Sequence, residues 1–201
     1  MSDVDESTMP LADEIDDFDE APPARKPPSR ARSTIEWIAV VGGALIVAVI
    51  IRTFFLAAFY IPSPSMVPTL QVHDRVLVNK LSYSLHPIHR GDVVVFERPP
   101  GETDPKVKDL IKRVIGLPGD TLESVGGVVY VNGKPLTEPY VAPPGTTDNL
   151  NRQTVPAGMV FVMGDNRGNS HDSRAFGAID ENLIVGRAFV LVWPLSHLGW
   201  L

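Results

Sequence analysis

Ile61-Pro-Ser-Pro-Ser-Met-Val-Pro-Thr-Leu70 follows directly on a long apolar run, and its reading governs everything on either side. Pro62, Pro64 and Pro68 each remove a backbone donor and fix φ at their positions. They also push the residues before them, including Ser63, towards extended conformations. A stiff, non-helical segment therefore holds Ser63 and Ser65 at the end of an apolar stretch. Taken alone it is an ordinary Ser-Pro loop; what precedes it and two later segments give it meaning.

Upstream, Trp37 to Ile51 carries no charge. As a helix these residues span roughly 22 Å, short of the ~30 Å hydrocarbon core of a bilayer. Arg52 interrupts, and Phe54–Tyr60 continues apolar. An Arg near a helix end can snorkel to the headgroups. Residues 35–57 are thus expected to form one transmembrane helix, in which Gly42 and Gly43 are tolerable. A cleaved leader would need a shorter apolar region followed by a small-residue cut site, and residues 57–65 offer only a poor one. Arg25, Lys26, Arg30 and Arg32 flank the run on its N-terminal side, which places that side in the cytoplasm and the chain after residue 58 outside.

Residues 1–34 are acidic, then rich in Pro, Ala and Arg, and are expected to be disordered because they cannot bury enough apolar surface to offset ordering. Met1–Glu20 holds nine acidic residues and no Lys or Arg, so the net charge of −6 is local and the remainder is slightly basic. The absence of cysteine excludes disulfides, a thiolate metal site and a Cys nucleophile. No basic stripe with interleaved aromatics suggests nucleic acid.

Residues 58–201 suffice for one core. Runs of strand length recur at Arg75–Asn79, Asp92–Phe96, Leu110–Ile115, Val128–Val131, Val160–Met163 and Val185–Trp193, separated by turn signals such as Gly126-Gly127 and Asn132-Gly133. The expected domain is mainly β. Glu138–Pro156, rich in Pro, Thr and Asn, reads as a surface loop or small extension.

Two downstream segments carry chemistry. If Leu110–Ile115 is a strand, Leu110, Lys112 and Val114 share a face. Burial among aliphatic side chains lowers a Lys pKa, and a neutral Lys can act as a general base. Arg113 has Ile111 and Ile115 on its own face, so a solvated Lys-Arg pair is the alternative. Gly164-Asp-Asn-Arg-Gly-Asn-Ser-His-Asp-Ser-Arg174 is dense in polar groups; Asp172 with Arg174, or Asp165 with Arg167, would pair to fix it. It lacks the glycine and twelfth-position glutamate of an EF-hand. Adjacent Ser170, His171 and Asp172 cannot converge as a triad. His73, His86, His89 and His197 show no metal spacing.

Together with Arg90-Gly-Asp-Val-Val-Val-Phe96 and the N-terminal apolar run, these segments resemble, in order over residues 35–201, the conserved boxes of the bacterial type I signal peptidases. The region between the Lys box and the Asp-Asn box is short for that family. The resemblance implies an extracytoplasmic β catalytic domain behind one membrane anchor. It implies Ser65 as nucleophile, Lys112 as general base, Ser63 as an oxyanion donor and Ser170 as the hydroxyl that orients the lysine. Asp165, Asp172 and Arg174 would support the site, and Ile61, Pro62 and Ile111 would line the substrate groove. His171 falls where the family varies and receives no role. The implied substrates are signal peptides of exported preproteins, cut after Ala-X-Ala through an acyl-enzyme, without metal or cofactor. The implied surroundings are membrane lipid, against which Phe54, Phe55 and Phe59 would hold the catalytic face, and the secretion machinery. Self-cleaving repressors of similar fold share the dyad but are soluble. A tethered peptide-binding module would need neither Ser65 nor Lys112.

Overall fold

In the computed structural model, residues 30–51, 55–147 and 150–201 are described. The tail up to residue 29, with Arg25 and Lys26, and the positions Arg52 and Phe54 lie outside them. The chain divides into two compact units, Met1–Gly42 and Gly43–Leu201.

The helix α1 runs over Arg30–Ile50. It begins earlier than the expected Ile35, because Arg and Ala are strong helix formers and extend it towards the N-terminus. It also stops short of Ala57. Leu56–Tyr60 is a strand, β1, paired through its full length with a second strand, Arg75–Asn79 (β2). Its ladder of antiparallel partners outweighs the apolar continuity that suggested helix. Trp37, Ile38, Val41, Leu45, Ile46 and Val49 of α1 are exposed. Among the described residues, no helix is long and apolar enough to cross a membrane.

After β2 comes a one-turn helix α2 (Ser82–Leu85), then β3 (Val93–Glu97), β4 (Asp109–Gly116), β5 (Thr121–Val125), β6 (Val128–Val131) and β7 (Lys134–Pro135). The remaining elements are β8 (Gln153–Thr154), β9 (Met159–Met163), α3 (Ser173–Phe176), β10 (Ile179–Asp180), β11 (Ile184–Trp193) and β12 (Gly199–Trp200). One eight-stranded sheet has the order β1-β2-β11-β3-β4-β9-β10, with β12 beside β11. A smaller four-stranded sheet has the order β7-β6-β5-β8. The mainly β expectation for this unit holds. The smaller sheet is built from hairpins whose two-residue turns, Gly126-Gly127 and Asn132-Gly133, have positive φ throughout, as primed turns between strands require.

Ile61, Met66 and Leu70 are fully buried with Val76, Val78, Val93, Val95 and Leu191. The Ser-Pro segment is thus pinned from below by three apolar anchors. A second cluster packs Leu122, Val129 and Val131 of the smaller sheet against Ile115, Phe161 and Met163. Phe59, expected to face lipid, packs instead against the first cluster; Phe55 stays exposed.

The Arg90-Gly91-Asp92 turn is riveted at its base. Arg90 donates to Asp120 Oδ2 at 2.9 Å and to the Ile115 carbonyl, while Asp92 accepts from Tyr83 and from the His89 N–H. This fixes β3 against β4 in the register Val94↔Lys112 and Val93↔Arg113. On its other side β4 pairs with β9 only from Arg113 onward. The edge of Asp109–Lys112 that faces away from β3 has no strand partner among the described residues.

Candidate active site

Two elements bring the chemistry together. Pro64–Met66 forms a single 3-10 turn, entered from an extended Ser63 (φ −127°, ψ 154°), as the following proline demands. Met66 and Leu70 plug into the core behind it, and Leu70 N–H bonds the Met66 carbonyl at 2.9 Å. Ser65 is therefore buried at 7% exposure on a turn that cannot shift without disturbing the core. Lys112 comes from the middle of β4 and is 4% exposed. Its Nζ donates to Ser65 Oγ at 2.7 Å.

Burial drives the Lys112 ammonium down to about 8, against the opposing pull of the Asp172, Asp165 and Glu102 charges. No carboxylate is hydrogen-bonded to Nζ among the described residues. A lysine held this way loses its proton near pH 8, well below the usual lysine range, and can then take one from a hydroxyl. The solvated Lys-Arg alternative does not hold, since both residues are buried.

Ser63 Oγ donates to Ser65 Oγ at 3.2 Å. Ser170 makes no hydrogen bond to Lys112: its buried Oγ lies beside the Asp172 carboxyl, which it helps to hold below the usual carboxylate range. Its side chain also lies against Gly164, which in turn abuts the Ser65 carbonyl. A side chain at 164 would collide with both, so only glycine lets the polar loop close on the nucleophile turn. Asn166 completes that closure, donating its N–H to the Ser65 carbonyl and its Nδ2 to the Pro64 carbonyl, each at 3.1 Å.

The polar loop is fixed by ion pairs, one of them as the sequence suggests. Asp172 caps α3 and accepts from Arg174 Nε and Nη2 at 2.9 Å and from the Gly164 N–H at 3.0 Å. Burial pushes its carboxyl up, but Arg174 and these donors outweigh that and hold it below the usual carboxylate range. Asp165 does not pair with Arg167. It is gripped by Arg113, Nε to Oδ1 at 2.9 Å and Nη2 to Oδ2 at 2.7 Å, and accepts from Thr69. Arg167 turns the other way, to Glu138 and to Thr147 Oγ1 at 2.6 Å. The reason is geometric: Asp165 and Arg167 lie two apart on non-helical backbone, so each finds its partner across the fold. His171 lies 2.7 Å from Glu102 Oε2 and has no part in a triad with its neighbours.

Arg113, Arg167, Glu138 and Asn166 join the site in addition to the residues that the sequence points to. A signal for Arg113 lies in Ile111 and Ile115 on its own face of the strand: an Arg buried among them needs a carboxylate. Glu138 had none, since its partner lies 29 residues away.

A groove of about 310 Å³ opens above the Ser65–Lys112 pair. Ile61, Pro62, Ser63 and Ile111 line it, with Glu102 and His171 on the same hollow. Its walls are the Ile61–Ser65 segment and the unpaired edge of β4.

A family model described as signal peptidase, peptidase S26, matches residues 34–193. The signal peptidase I of Leptolyngbya laminosa is 43% identical over 182 residues, covering 89% of either chain. That of Bacillus caldolyticus is 38% identical over 170 residues, covering 78% of this chain and 90% of the relative. A crystal structure of a signal peptidase I from Enterococcus faecalis V583 is 33% identical, with a TM-score of 0.41, covering 51% of this chain and 97% of that one.

Proposed function

The chain belongs to the signal peptidase family, peptidase S26, and is a serine peptidase of that family; from that premise we propose that it is a membrane-anchored endopeptidase that removes N-terminal signal peptides from exported preproteins by a Ser65/Lys112 dyad. The observation that carries this reading is the buried 2.7 Å contact between Lys112 Nζ and Ser65 Oγ beneath a groove.

The substrate enters as an extended strand and adds to the free edge of β4, opposite Ile61–Ser65. Ile61, Pro62 and Ile111 wall the side-chain pockets and admit only Ala-sized groups, giving a cut after Ala-X-Ala. Neutral Lys112 accepts the Ser65 proton as Oγ attacks the scissile carbonyl. The oxyanion is met by the Ser63 hydroxyl and by the Ser65 N–H, which sits in the first turn of a 3-10 segment with no intrahelical acceptor. Lysine then returns the proton to the departing amine. Water attacks the acyl-enzyme with Lys112 again as base. Asp165, Asp172 and Arg174 hold the loop behind the dyad, and Ser170 fills the space at Gly164 beside it.

Membrane attachment runs through the apolar segment from Trp37, with the N-terminus cytoplasmic and the catalytic unit outside. The exposed apolar side chains between Trp37 and Ile50 support this, because uncovered apolar surface of that extent is suited to lipid. Tyr60 and Trp193 support a lipid-facing surface as well. They pair with the same Arg75 from either side and are both exposed, with Leu195, Leu198 and Trp200 also exposed beyond Trp193. An enzyme and substrate held in one bilayer meet at raised effective concentration, and the secretion machinery would deliver the substrate to that surface.

The decisive experiment mixes purified protein, in detergent or lipid, with a preprotein bearing an Ala-X-Ala site, beside the Ser65→Ala variant. Mass spectrometry should find one cut after the second Ala, absent with the variant. An intact preprotein after exposure to folded wild type at alkaline pH overturns the reading. Carbonate extraction of membranes tests the anchor: release of the protein into the wash counts against it.

A further inference from the structure

The connection between β7 and β8 reaches out of the smaller sheet and takes hold of the polar loop at Arg167 and of β4 at Arg113. Glu138 forks onto Arg167, whose side chain is fully buried. Tyr140 lies over the Arg113 guanidinium, 4.1 Å from ring centroid to Cζ, and donates its hydroxyl to Glu138 Oε1 at 3.1 Å. Arg113 in turn grips Asp165, and the Arg167 N–H bonds the Asp165 carbonyl at 3.1 Å. The contacts close a ring: Arg113, Tyr140, Glu138, Arg167, Asp165 and back to Arg113. Burial works against the Arg167 charge, and the Glu138 contacts more than offset it.

The ring bears directly on the dyad from both sides. Arg113 is the residue after Lys112 on β4. Arg167 Nε bonds the Gly164 carbonyl at 3.2 Å, and Gly164 abuts the Ser65 carbonyl. Asn166, between Asp165 and Arg167, bonds the carbonyls of both Ser65 and Pro64. The 164–167 segment that closes over Ser65 is thus tied to Glu138 through Arg167, and Glu138 in turn to Tyr140.

We propose that Glu138 and Tyr140 are positioning residues: the smaller sheet serves the reaction by clamping the 164–167 segment, and with it the Ser65 turn, at bonding distance from Lys112. This rests on the dyad reading. It gives the β7–β8 connection a task that its loop-like composition hides, because without it a buried arginine has no carboxylate and the loop over Ser65 loses its outer support.

The test is steady-state cleavage of an Ala-X-Ala preprotein by full-length wild type, Glu138→Ala, Tyr140→Leu and Lys134→Ala, with thermal midpoints and near-UV circular dichroism alongside. Groove residues are untouched, so KM should stay within about twofold. A misplacement of the nucleophile of about 1 Å should lower kcat roughly tenfold to a hundredfold in the first two variants. Lys134→Ala, exposed on the same small sheet, should match wild type. Normal kcat in a folded Glu138→Ala or Tyr140→Leu protein overturns the proposal. So does a loss that merely follows the fraction unfolded, with surviving molecules at full kcat by active-site titration. If Glu138→Ala does not fold, the Tyr140→Leu result decides. Failure of wild type itself to cut marks a failure of the dyad reading instead.

Discussion

Lys112 Nζ and Ser65 Oγ meet at 2.7 Å across 47 residues of sequence, one from the middle of a strand, the other from a proline-bounded turn. The contact joins a buried amine to a buried hydroxyl with no carboxylate bonded to the amine. An ammonium there is poorly solvated, so the pair is built for the neutral amine.

The lysine should therefore be replaceable for stability but not for chemistry. Its pKa is 10.5 when unfolded and about 8 when folded. The unfolded chain holds the proton more tightly, so the burial cost is full below pH 8, shrinks between 8 and 10.5, and is gone above. A shift of this size corresponds to roughly 3 kcal/mol. Lys112→Met should gain about 2 kcal/mol in urea unfolding at pH 7, after losing a hydrogen bond of about 1 kcal/mol. At pH 11, with the burial cost gone, the missing hydrogen bond should leave the variant about 1 kcal/mol less stable than wild type. Lys112→Arg should be as inactive as Lys112→Met, because guanidinium keeps its proton. Near-normal cleavage by the Arg variant would remove Lys112 from the role of base.

The same shift sets a pH profile. Only the neutral amine can take the Ser65 proton, so kcat/KM should rise about tenfold per pH unit below about 8 and level off above it. A series from pH 5 to 10 with one preprotein measures this. A flat profile contradicts a lysine base.

The elements that bear chemistry were legible because their signals are local. Pro64 makes Ser63 extended, and the short apolar run around Lys112 marks a strand, although its pattern leaves open which of Lys112 and Arg113 faces inward. What escaped was decided by distant partners. Leu56 and Ala57 fall at the end of the expected helix because apolarity does not distinguish helix from strand, and only the ladder of Leu56–Tyr60 with Arg75–Asn79 settles it. Proximity in sequence offers Asp172 with Arg174 or Asp165 with Arg167; the first pair forms, whereas Arg167 and Arg113 find their carboxylates across the fold. Glu138 sat in a Pro- and Thr-rich stretch whose composition describes its backbone and says nothing of its one buried contact.

Ser63 offers a cleaner separation of chemistry from folding. It is exposed, and the bond from its hydroxyl is to Ser65 Oγ. Ser63→Ala should leave the thermal midpoint unchanged and lower kcat by about a hundredfold to a thousandfold, the usual loss for one oxyanion donor. KM should move little, because the oxyanion exists only in the transition state. A KM effect without a kcat effect would mark Ser63 as part of the groove wall alone.

Gly164 carries the sharpest steric expectation. A methyl group there would meet Ser170 Cβ at 2.6 Å, and still more closely Ser170 Oγ and the Ser65 carbonyl. The carbonyl cannot turn aside, since Met66 and Leu70 hold its turn in the core. The loop must then lift or the nucleophile must move, and either breaks the bond from Asn166 to Ser65. Gly164→Ala should thus lose about a hundredfold or more in kcat. Overpacking of roughly 1–3 kcal/mol should also lower the thermal midpoint by several degrees. Gly168→Ala, on the same loop with open space around it, should cost less than about twofold. Equal behaviour of the two variants in a side-by-side cleavage and melting assay would mean that the loop over Ser65 is looser than its contacts require.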